Sequence, residues 1–554
     1  MKLVKTIKGE LLRNKYVKKL NNTYKVKKFY SNRIKTDGIP ETIMFWSTGG
    51  MLMQSNIEGM IASSLKLRGH KVHMVICDSV YKACARRVDH PDVSINDWYK
   101  YCPSCIRNIT RLIDRLGISY SYVSDYIPEN RQAELKRIAN EVDYENHTEL
   151  TLNGIHLGSH LVSALLRHTK GSSYESMYEI IKEFAYTVLI TAEATHTAIK
   201  KLKPTKVYMS HGIYADWGPA LSVSLKENLP VSSYFSCYLT AHFYFGTVNN
   251  FNETFLTISM KSWDKYKNLT LTEIQKQRLY NFLYRRYLHN ETADMIGILK
   301  EYKGENKHFY EKYNLDPEKP IWGIMTHINW DAISDYFQMI YKNFDEWLYE
   351  TIKEIYNVKE VQWLIKIHPS ELNDNPFTGC QKFIENNFPD LPPHIKIIKM
   401  DDEISPKDFY NLLDGGVTVM GTGGLELSIQ GKPVILAGDA HYSNKGFTYD
   451  AKSDKQYKEL LNNAKNIGPL VTEKNSLALK YGYIYFILKQ IPLLPAIKED
   501  LFIDFNNIKQ LLPGNNKFID FLCDVIITGG DFILPENLVD QTHLIEKKQM
   551  RQFH

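Results

Sequence analysis

The sequence lacks any long uninterrupted hydrophobic run, and this absence limits the kinds of protein it can encode. Its most apolar stretch, "YGYIYFILKQIPLLPAI", is interrupted by Lys489, Pro492 and Pro495. No segment therefore reaches the length that a membrane-spanning helix requires. The first residues carry a charge every few positions, so they also lack the apolar core of a secretory signal. We expect a cytoplasmic protein.

The sequence also has little net charge, and glycine, proline and cysteine are not abundant in it. The net charge of +5 is small for 554 residues and does not indicate nucleic-acid binding. We find neither short repeats nor low-complexity tracts. The seven cysteines are expected to be reduced or metal-bound in the cytoplasm. The chain does have enough length for more than one core, which predicts two large domains plus extensions.

Strand and helix patterns alternate along two parts of the chain. "TIMFW" (42–46) leads through a Ser-Thr-Gly-Gly turn and a helix to "KVHMVIC" (71–77), and the alternation restarts at "IWGIMTH" (321–327). Such alternation predicts an α/β fold with parallel sheets, here two Rossmann-like domains with a cleft between them. The predicted parts are an arm at 1–40, an N-terminal domain at 41–300, a linker at 301–318, a C-terminal domain at 319–475 and a helical extension at 476–554.

The N-terminal arm is strongly basic. Residues 1–35 carry twelve Lys and Arg against one Glu, and Leu3, Val4, Ile7 and Leu11 recur at helical spacing. A basic amphipathic helix can lie on an anionic membrane surface. A solvated basic arm is the alternative, and the sequence does not decide between them.

Three polar clusters follow predicted strands of the second domain. Ligands of open parallel sheets bind beyond the carboxyl ends of the strands, so these clusters are expected to share one pocket. They are Thr326 with His327, Lys366 with His368, and Gly421, Thr422, Gly423 and Gly424.

The glycine-rich cluster lies in "VTVMGTGGLELSIQGKPVIL" (417–436), between a predicted strand and a short helix. Glycines let backbone N–H groups approach an anion, and the positive end of the helix points to the same place. Thr422 adds a hydroxyl donor, which favours a diphosphate or a nucleotide monophosphate as ligand. Glu426 would then accept the hydroxyls of a ribose. The alternative is a tight turn with Glu426 as a favourable acid in the first helical turn.

The cluster in "IKIHPSE" places Lys366 and His368 on one face of a strand. An imidazole can donate to a phosphate, and a protonated one would stabilise a departing phosphate. The alternative is a surface histidine at a strand end. Thr326 and His327, in "MTHINWD", carry a weaker signal for the same site.

Taken together, "IKIHPSE" and "GTGGLELSIQGKPVILAGDAHYSNKGFTYD" resemble bacterial capsule polysaccharide biosynthesis proteins, which are GT-B-type glycosyltransferases related in design to Kdo and sialic acid transferases. The resemblance covers about 319–460 and is looser over 42–250. It implies an N-terminal acceptor domain and a CMP-, UDP- or GDP-linked sugar bound in the C-terminal domain. His368, Thr422 and Gly423 match the family's phosphate-binding positions, and Glu426 matches its ribose-binding Glu.

A transferase that inverts configuration needs a base to activate the acceptor hydroxyl. In a GT-B arrangement this base comes from the N-terminal domain, where "SHGIYADWG" offers His211 and Asp216. The Ser-Thr-Gly-Gly turn with Glu58 is another candidate, although Ser55 and Glu58 have the spacing of a helix capping box. Weaker candidates are His156, His160, Glu193 and His196.

Four cysteines, Cys77, Cys84, Cys102 and Cys105, fall within 29 residues, the last two in "CPSC". Four thiolates can close a tetrahedral structural zinc site. Buried free thiols and redox activity are the alternatives.

The residues and the resemblance together predict a glycosyltransferase that acts on a surface polysaccharide or glycolipid. Two alternatives stay open at this stage. One is a non-hydrolysing nucleotide-sugar epimerase, which shares the two-domain design. The other is a polysaccharide assembly protein that has no catalytic activity.

Overall fold

The structure is a computed structural model. It describes residues 39–539 except 91, 289–306, 331, 333–334, 336–337, 369, 372–378 and 403. The predicted basic arm, apart from its last two residues, lies outside the described residues, and so does Pro369 of the His-Pro pair. The described residues form two large sheets, each flanked by helices, and one short two-stranded ribbon.

The N-terminal sheet has seven strands, and the five that follow one another from one edge are parallel, whereas the two at the opposite edge are antiparallel. β1 lies between β2 and β6, as expected for a strand whose residues 43–46 are at most 1% exposed. The order of the strands in this sheet, numbered along the chain, is β15-β8-β7-β6-β1-β2-β3. The strands are β1 (Thr42–Trp46), β2 (Lys71–Ile76), β3 (Ser119–Tyr122), β6 (Lys206–Met209), β7 (Val231–Ser236), β8 (His242–Val248) and β15 (Ile491–Pro492), while β4 (Thr151–Leu152) and β5 (Ile155–His156) form the ribbon.

Helices cover both faces of this sheet. They are α1 (Leu52–Leu67), α2 (Cys102–Leu116), α3 (Glu129–Asn140), α4 (Gly158–Thr169), α5 (Tyr178–Leu202), α6 (Tyr214–Lys226), α7 (Met260–Tyr266) and α8 (Glu273–Leu288). The sequence pattern predicts a helix at 177–202, and the long helix α5 confirms it. The pattern also predicts that α1 starts at Asn56, whereas the helix begins four residues earlier, at Leu52.

The C-terminal sheet has six strands, and every pair in it is parallel. Its order is β11-β10-β9-β12-β13-β14. The strands are β9 (Ile321–Met325), β10 (Gln362–Lys366), β11 (Ile395–Ile398), β12 (Gly415–Thr418), β13 (Val434–Leu436) and β14 (Tyr449–Asp450). The helices are α9 (Lys307–Lys312), α10 (Phe344–Ile355), α11 (Cys380–Asn387), α12 (Pro406–Leu412), α13 (Thr422–Ile429), α14 (Asp454–Asn462) and α15 (Thr472–Tyr483). Two Rossmann-like units are thus present, as the sequence predicted.

The described part of the C-terminal extension returns to the first unit. After α15 the chain passes through a π-helical turn at Ile484–Leu488, and β15 then pairs with the edge strand β8. Helix α16 (Lys517–Thr528) packs on α1, and Arg68 forms an ion pair with Asp520. One hydrophobic cluster runs through both units and this extension, so the two units are packed together through their cores.

Candidate functional site

The three polar clusters of the C-terminal unit lie at one edge of the sheet, as predicted. Strands β10, β9 and β12 are neighbours and parallel, so the residues that follow them meet at their carboxyl ends. The Thr326 hydroxyl donates to the carbonyl of Lys366 (3.0 Å) and accepts from the backbone N–H of His368 (3.0 Å). Thr326 therefore ties the first cluster to the second.

His327 connects the first cluster to the glycine-rich turn. Its Nε2 lies 3.0 Å from the Thr418 hydroxyl and 3.4 Å from the backbone nitrogen of Met420, which donates to it. The ring stacks on Phe344 at a centroid distance of 4.4 Å. Burial, together with the charge of His368, lowers the pKa of His327 to about 3, so the ring is neutral. This imidazole holds the turn in place.

His368 is only partly buried and is held in one tautomer. Its Nδ1 accepts a hydrogen bond from the backbone N–H of Ser370 (3.2 Å), which leaves the proton on Nε2. Burial lowers the pKa of His368 to about 4, with a smaller contribution from the positive charge of Lys366. The neutral ring offers an Nε2–H donor, whereas the sequence suggested a protonated imidazole. Burial also lowers the pKa of Lys366, to about 8.

The glycine-rich turn forms the start of helix α13, with Gly421 at its N-cap position. A Cβ on Gly423 would lie 2.7 Å from the Met325 sulfur, and one on Gly424 would lie 2.2 Å from the Tyr442 hydroxyl. These two glycines are therefore required by packing. Gly421 and Thr422 remain partly exposed at the end of the helix, where an anion would bind.

Glu426 has partners other than the ribose that the sequence predicted. It is 2% exposed; one carboxylate oxygen accepts from Arg286 Nε (3.0 Å) and the other from the Tyr410 hydroxyl (2.9 Å). Arg286 also lies over the Tyr238 ring, 4.1 Å from its centroid. A ribose would have to displace one of these partners. Arg286 lies 140 residues away in the chain, so no local sequence signal could have found it.

The two predicted base candidates of the N-terminal unit lie at the carboxyl end of β6 and in the first turn of α6. His211 Nδ1 accepts from the backbone N–H of Ile213 (3.2 Å), and aromatic rings surround the imidazole. Burial and the charge of Arg167 lower the pKa of His211 to about 3, which makes it a poor base. Burial raises the pKa of Asp216 to about 7, while the Ala85 N–H donates to its Oδ1 (3.0 Å). Asp216 is the better suited of the two.

Glu58 does not form the predicted capping box. Helix α1 has Met51 at its N-cap, so Ser55 lies inside the helix and its hydroxyl donates to the carbonyl of Met51 (3.2 Å). The Glu58 carboxyl is buried and accepts from Ser47 Oγ and from the Tyr234 hydroxyl (3.3 Å). Burial raises the pKa of Glu58 to about 8, so this carboxyl is mainly protonated at neutral pH.

Two of the weaker candidates, Glu193 and His196, have structural partners. His156 lies exposed on the ribbon strand β5, Glu193 accepts from Arg131 (3.0 Å), and His196 lies 3.0 Å from Glu227. His160 is different, because its Nδ1 pairs with Asp335 of the C-terminal unit and its Nε2 lies 2.8 Å from the Ser222 hydroxyl.

Asp335 was missed by the sequence reasoning. Its second oxygen accepts from the backbone N–H of Tyr214 at the start of α6 (3.0 Å), so this carboxylate joins the two units through His160 and Tyr214. On the other side of the cleft, the Tyr238 hydroxyl lies 3.1 Å from that of Thr422. The units are thus in contact next to both candidate sites.

The four clustered cysteines, Cys77, Cys84, Cys102 and Cys105, are free and line one cavity. Within the described ranges, no group of three or more His, Cys, Asp or Glu side chains is arranged to hold a metal ion. Burial raises the pKa of the Cys77, Cys84 and Cys105 thiols, whereas zinc requires thiolates. The structural zinc site, free thiols and redox activity therefore all stay open as predictions.

The described residues form two Rossmann-like units that pack together, which is the architecture of the GT-B fold. Residues 326–467 match the model of the capsule polysaccharide biosynthesis protein family, which confirms the family resemblance for this segment. The matched segment begins at Thr326 and contains all three polar clusters. No curated protein matches the sequence.

Solved structures of low identity also align with the chain. The beta Kdo 2,4 transferase KpsC of Thermosulfurimonas dismutans is 15% identical, with 56% of this chain and 87% of that chain covered and a TM-score of 0.33. The glycosyltransferase SnogD of Streptomyces nogalater is 12% identical (80% and 95% covered, TM-score 0.20). The UDP-GlcNAc 2-epimerase of Neisseria meningitidis is 10% identical (76% and 90% covered, TM-score 0.24). With TM-scores this low, none of these alignments bears on function.

Among the helices that the structure describes, none is both long and apolar enough to cross a membrane.

Proposed function

We propose that the protein is a glycosyltransferase that moves a sugar from a nucleotide-sugar donor to a surface polysaccharide or glycolipid. The observation that carries this proposal is that the family-matched segment and the candidate phosphate site lie in the same part of the chain. The segment that matches the capsule polysaccharide family, 326–467, is the one whose strand ends converge on His368 and the start of α13.

The donor phosphates would bind at the carboxyl ends of β9, β10 and β12. His368 Nε2–H, the Lys366 ammonium and the first N–H groups of α13 are the donors available there. As the bond between the sugar and the phosphate breaks, negative charge grows on the phosphate oxygen. Fixed donors that are already oriented towards that oxygen stabilise the transition state more than the ground state.

The acceptor hydroxyl would approach from the N-terminal unit and lose its proton as its oxygen bonds to the sugar. Asp216 is the base that we assign, because the pKa of about 7 lets its carboxyl take up a proton at neutral pH. The contacts of Asp335 with His160 and of Tyr238 with Thr422 would hold the cleft closed during transfer. A closed cleft excludes water and so protects the donor from hydrolysis.

The protein would act in the cytoplasm at the inner face of the membrane, where the basic segment 1–35 would bind anionic lipid. Sedimentation with phosphatidylglycerol vesicles tests this placement. The full chain is expected to bind them and a chain that lacks residues 1–35 to stay in solution. Equal binding by both would contradict the placement.

The test of the activity is transfer from a panel of CMP-, UDP- and GDP-sugars to capsular oligosaccharides, followed by mass spectrometry. We expect a product one sugar longer with one of the donors, and little product with Asp216→Asn. Interconversion of a UDP-sugar without any acceptor would instead support an epimerase. Nucleotide binding without turnover of any donor would support an assembly protein that has no catalytic activity.

A further inference from the structure

The turn between β1 and α1, Ser47-Thr48-Gly49-Gly50, was left unassigned by the function proposed above. Gly49 and Gly50 have φ angles of +86° and +92°, which only glycine adopts without strain. Their conformation lets the chain enter the 16-residue helix α1 at Met51, an N-cap without a side-chain hydrogen bond. Backbone N–H groups at such a helix start carry partial positive charge and attract anions.

Two neighbouring cavities lie beside this helix start. The wider one has a volume of about 290 Å³ and is lined by Arg86, His90, Ser55 and Asn108 beside Gly50. The narrower one, of about 30 Å³, has room for a group about the size of a water molecule. Gly50 and Arg86 line both, so the two cavities are neighbours at the carboxyl end of β1, and the pair is termed the cleft.

The narrow cavity contains two polar groups without hydrogen-bond partners. Thr48 and Trp217 line it and are each 3% exposed, and the Thr48 hydroxyl and the Trp217 indole N–H make no hydrogen bond in the structure. A buried polar atom without a partner costs about 1 to 3 kcal/mol. A ligand that places a hydroxyl in this cavity would offer these groups a hydrogen-bond partner.

Charge and shape in the cleft favour one ligand chemistry. The Arg86 guanidinium matches the geometry of a carboxylate or a phosphate, and the helix start faces the same space. The Asp216 carboxyl lines the narrow cavity, away from His90 and Asn108 of the wide one. An acidic group therefore fits the wide cavity, while a hydroxyl of the same sugar fits the narrow one.

We propose that this cleft binds an acidic sugar of the acceptor glycan, with its carboxylate or phosphate between Arg86 and the start of α1 and a hydroxyl between Thr48 and Trp217. The proposal rests on the proposed function, because it names the acceptor class of that reaction. The position of Asp216 on the same cleft would bring its carboxyl close to a hydroxyl of the bound sugar.

Calorimetric titration of the full chain tests the site without any transfer assay. The probes are methyl β-glucuronide, its methyl ester, glucose 6-phosphate and glucose. We expect one or both acids to bind at least about tenfold more tightly than the neutral partner, as a charged hydrogen-bonded contact predicts. Preference for the glucuronide or for the phosphate identifies the source of the anion. Equal affinity of acids and neutral probes, or no binding of either acid, would overturn the proposal.

Variants then locate the binding. Arg86→Gln is expected to abolish the preference for acid over neutral probes, and Thr48→Val and Trp217→Phe to weaken the affinity for the acid. Arg107→Gln is the matched control, since Arg107 is exposed on α2 outside both cavities. An unchanged preference in Arg86→Gln would contradict the site.

Thermal shifts with CMP, UDP and GDP on the same preparations report on the C-terminal unit separately. If no nucleotide binds but the acidic probes still bind more tightly than the neutral ones, the proposed function is refuted and this site is not. The reverse result would refute this site alone.

Discussion

The two Rossmann-like units contain the same tripeptide, Thr-Gly-Gly, between a parallel strand and a helix, and they use it differently. In the N-terminal unit the glycines precede the helix with positive φ angles and open onto a cleft. In the C-terminal unit they lie inside the first turn of α13, covered by tyrosine hydroxyls. The same local sequence thus forms an open turn in one unit and a packed one in the other.

The glutamate that follows each turn shows a second contrast. Glu58 and Glu426 are both buried, and each accepts a hydrogen bond from a tyrosine hydroxyl. Glu426 also forms an ion pair with Arg286. Glu58 has no Lys or Arg partner among the contacts of the described residues, and burial raises its pKa against the opposing effect of the Tyr234 hydrogen bond. A buried carboxylate requires a counter-charge, whereas a buried neutral carboxyl requires only hydrogen bonds.

The largest expected effect is on the rate of sugar transfer and comes from His368, at the phosphate site that we propose beside the C-terminal turn. His368→Ala removes the Nε2–H donor and is expected to lower the rate of sugar transfer by about 10²- to 10³-fold, the usual loss for one transition-state donor. Steady-state kinetics measure the rate, and the melting temperature shows whether the fold is kept. His308→Ala is the control, because His308 is exposed on α9. Normal turnover in His368→Ala would reject the role of this histidine.

The contrast between the two glutamates predicts a large loss of stability in one unit. Arg286→Met leaves Glu426 buried without its counter-charge and should lower the free energy of unfolding by about 3 kcal/mol. Urea denaturation measures this value. The double variant Arg286→Met with Glu426→Gln should recover much of the loss. Equal loss in the single and double variants would show that the ion pair is not the cause.

The two glycine turns predict different costs for an added methyl group. Gly424→Ala places Cβ 2.2 Å from the Tyr442 hydroxyl, which donates to the carbonyl of Gly421 (2.6 Å), so a loss of about 2 kcal/mol is expected from overpacking. Gly50→Ala meets no atom closer than 3.6 Å and should cost about 1 kcal/mol from backbone strain. Urea denaturation compares them, and a larger loss in Gly50→Ala would reverse the comparison.

A pH dependence of the free energy of unfolding is expected from Glu58. The pKa of this carboxyl rises from 4.5 to about 8 on folding, so between these values the folded state holds a proton that the unfolded state has released. The free energy of unfolding should therefore fall as the pH rises through this window, and Glu58→Gln should remove that part of the slope. Urea denaturation from pH 5 to pH 9 measures it, with exposed Glu175→Gln as control. Parallel curves for the wild type and Glu58→Gln would contradict the assignment.

The sequence predicted the parallel sheets well, because buried parallel strands are continuous apolar runs that turns and helices separate. It also predicted which clusters would meet, since neighbouring parallel strands bring their carboxyl ends together. It could not show that Arg286 or Asp335 would reach across the units, because such contacts depend on tertiary packing. The capping-box interpretation of Ser55 was wrong because the apolar residues 51–53 start α1 earlier than any capping signal indicates.

The claim on which the account depends is that the C-terminal unit binds a nucleotide phosphate at His368 and the start of α13. The most direct measurement is the thermal stabilisation of wild type and His368→Ala by CMP, UDP and GDP over increasing concentrations. We predict that one nucleotide stabilises the wild type progressively, as binding to the folded state requires, and that His368→Ala loses most of that shift. The absence of a shift with all three nucleotides, or the same shift in both proteins, would contradict the account.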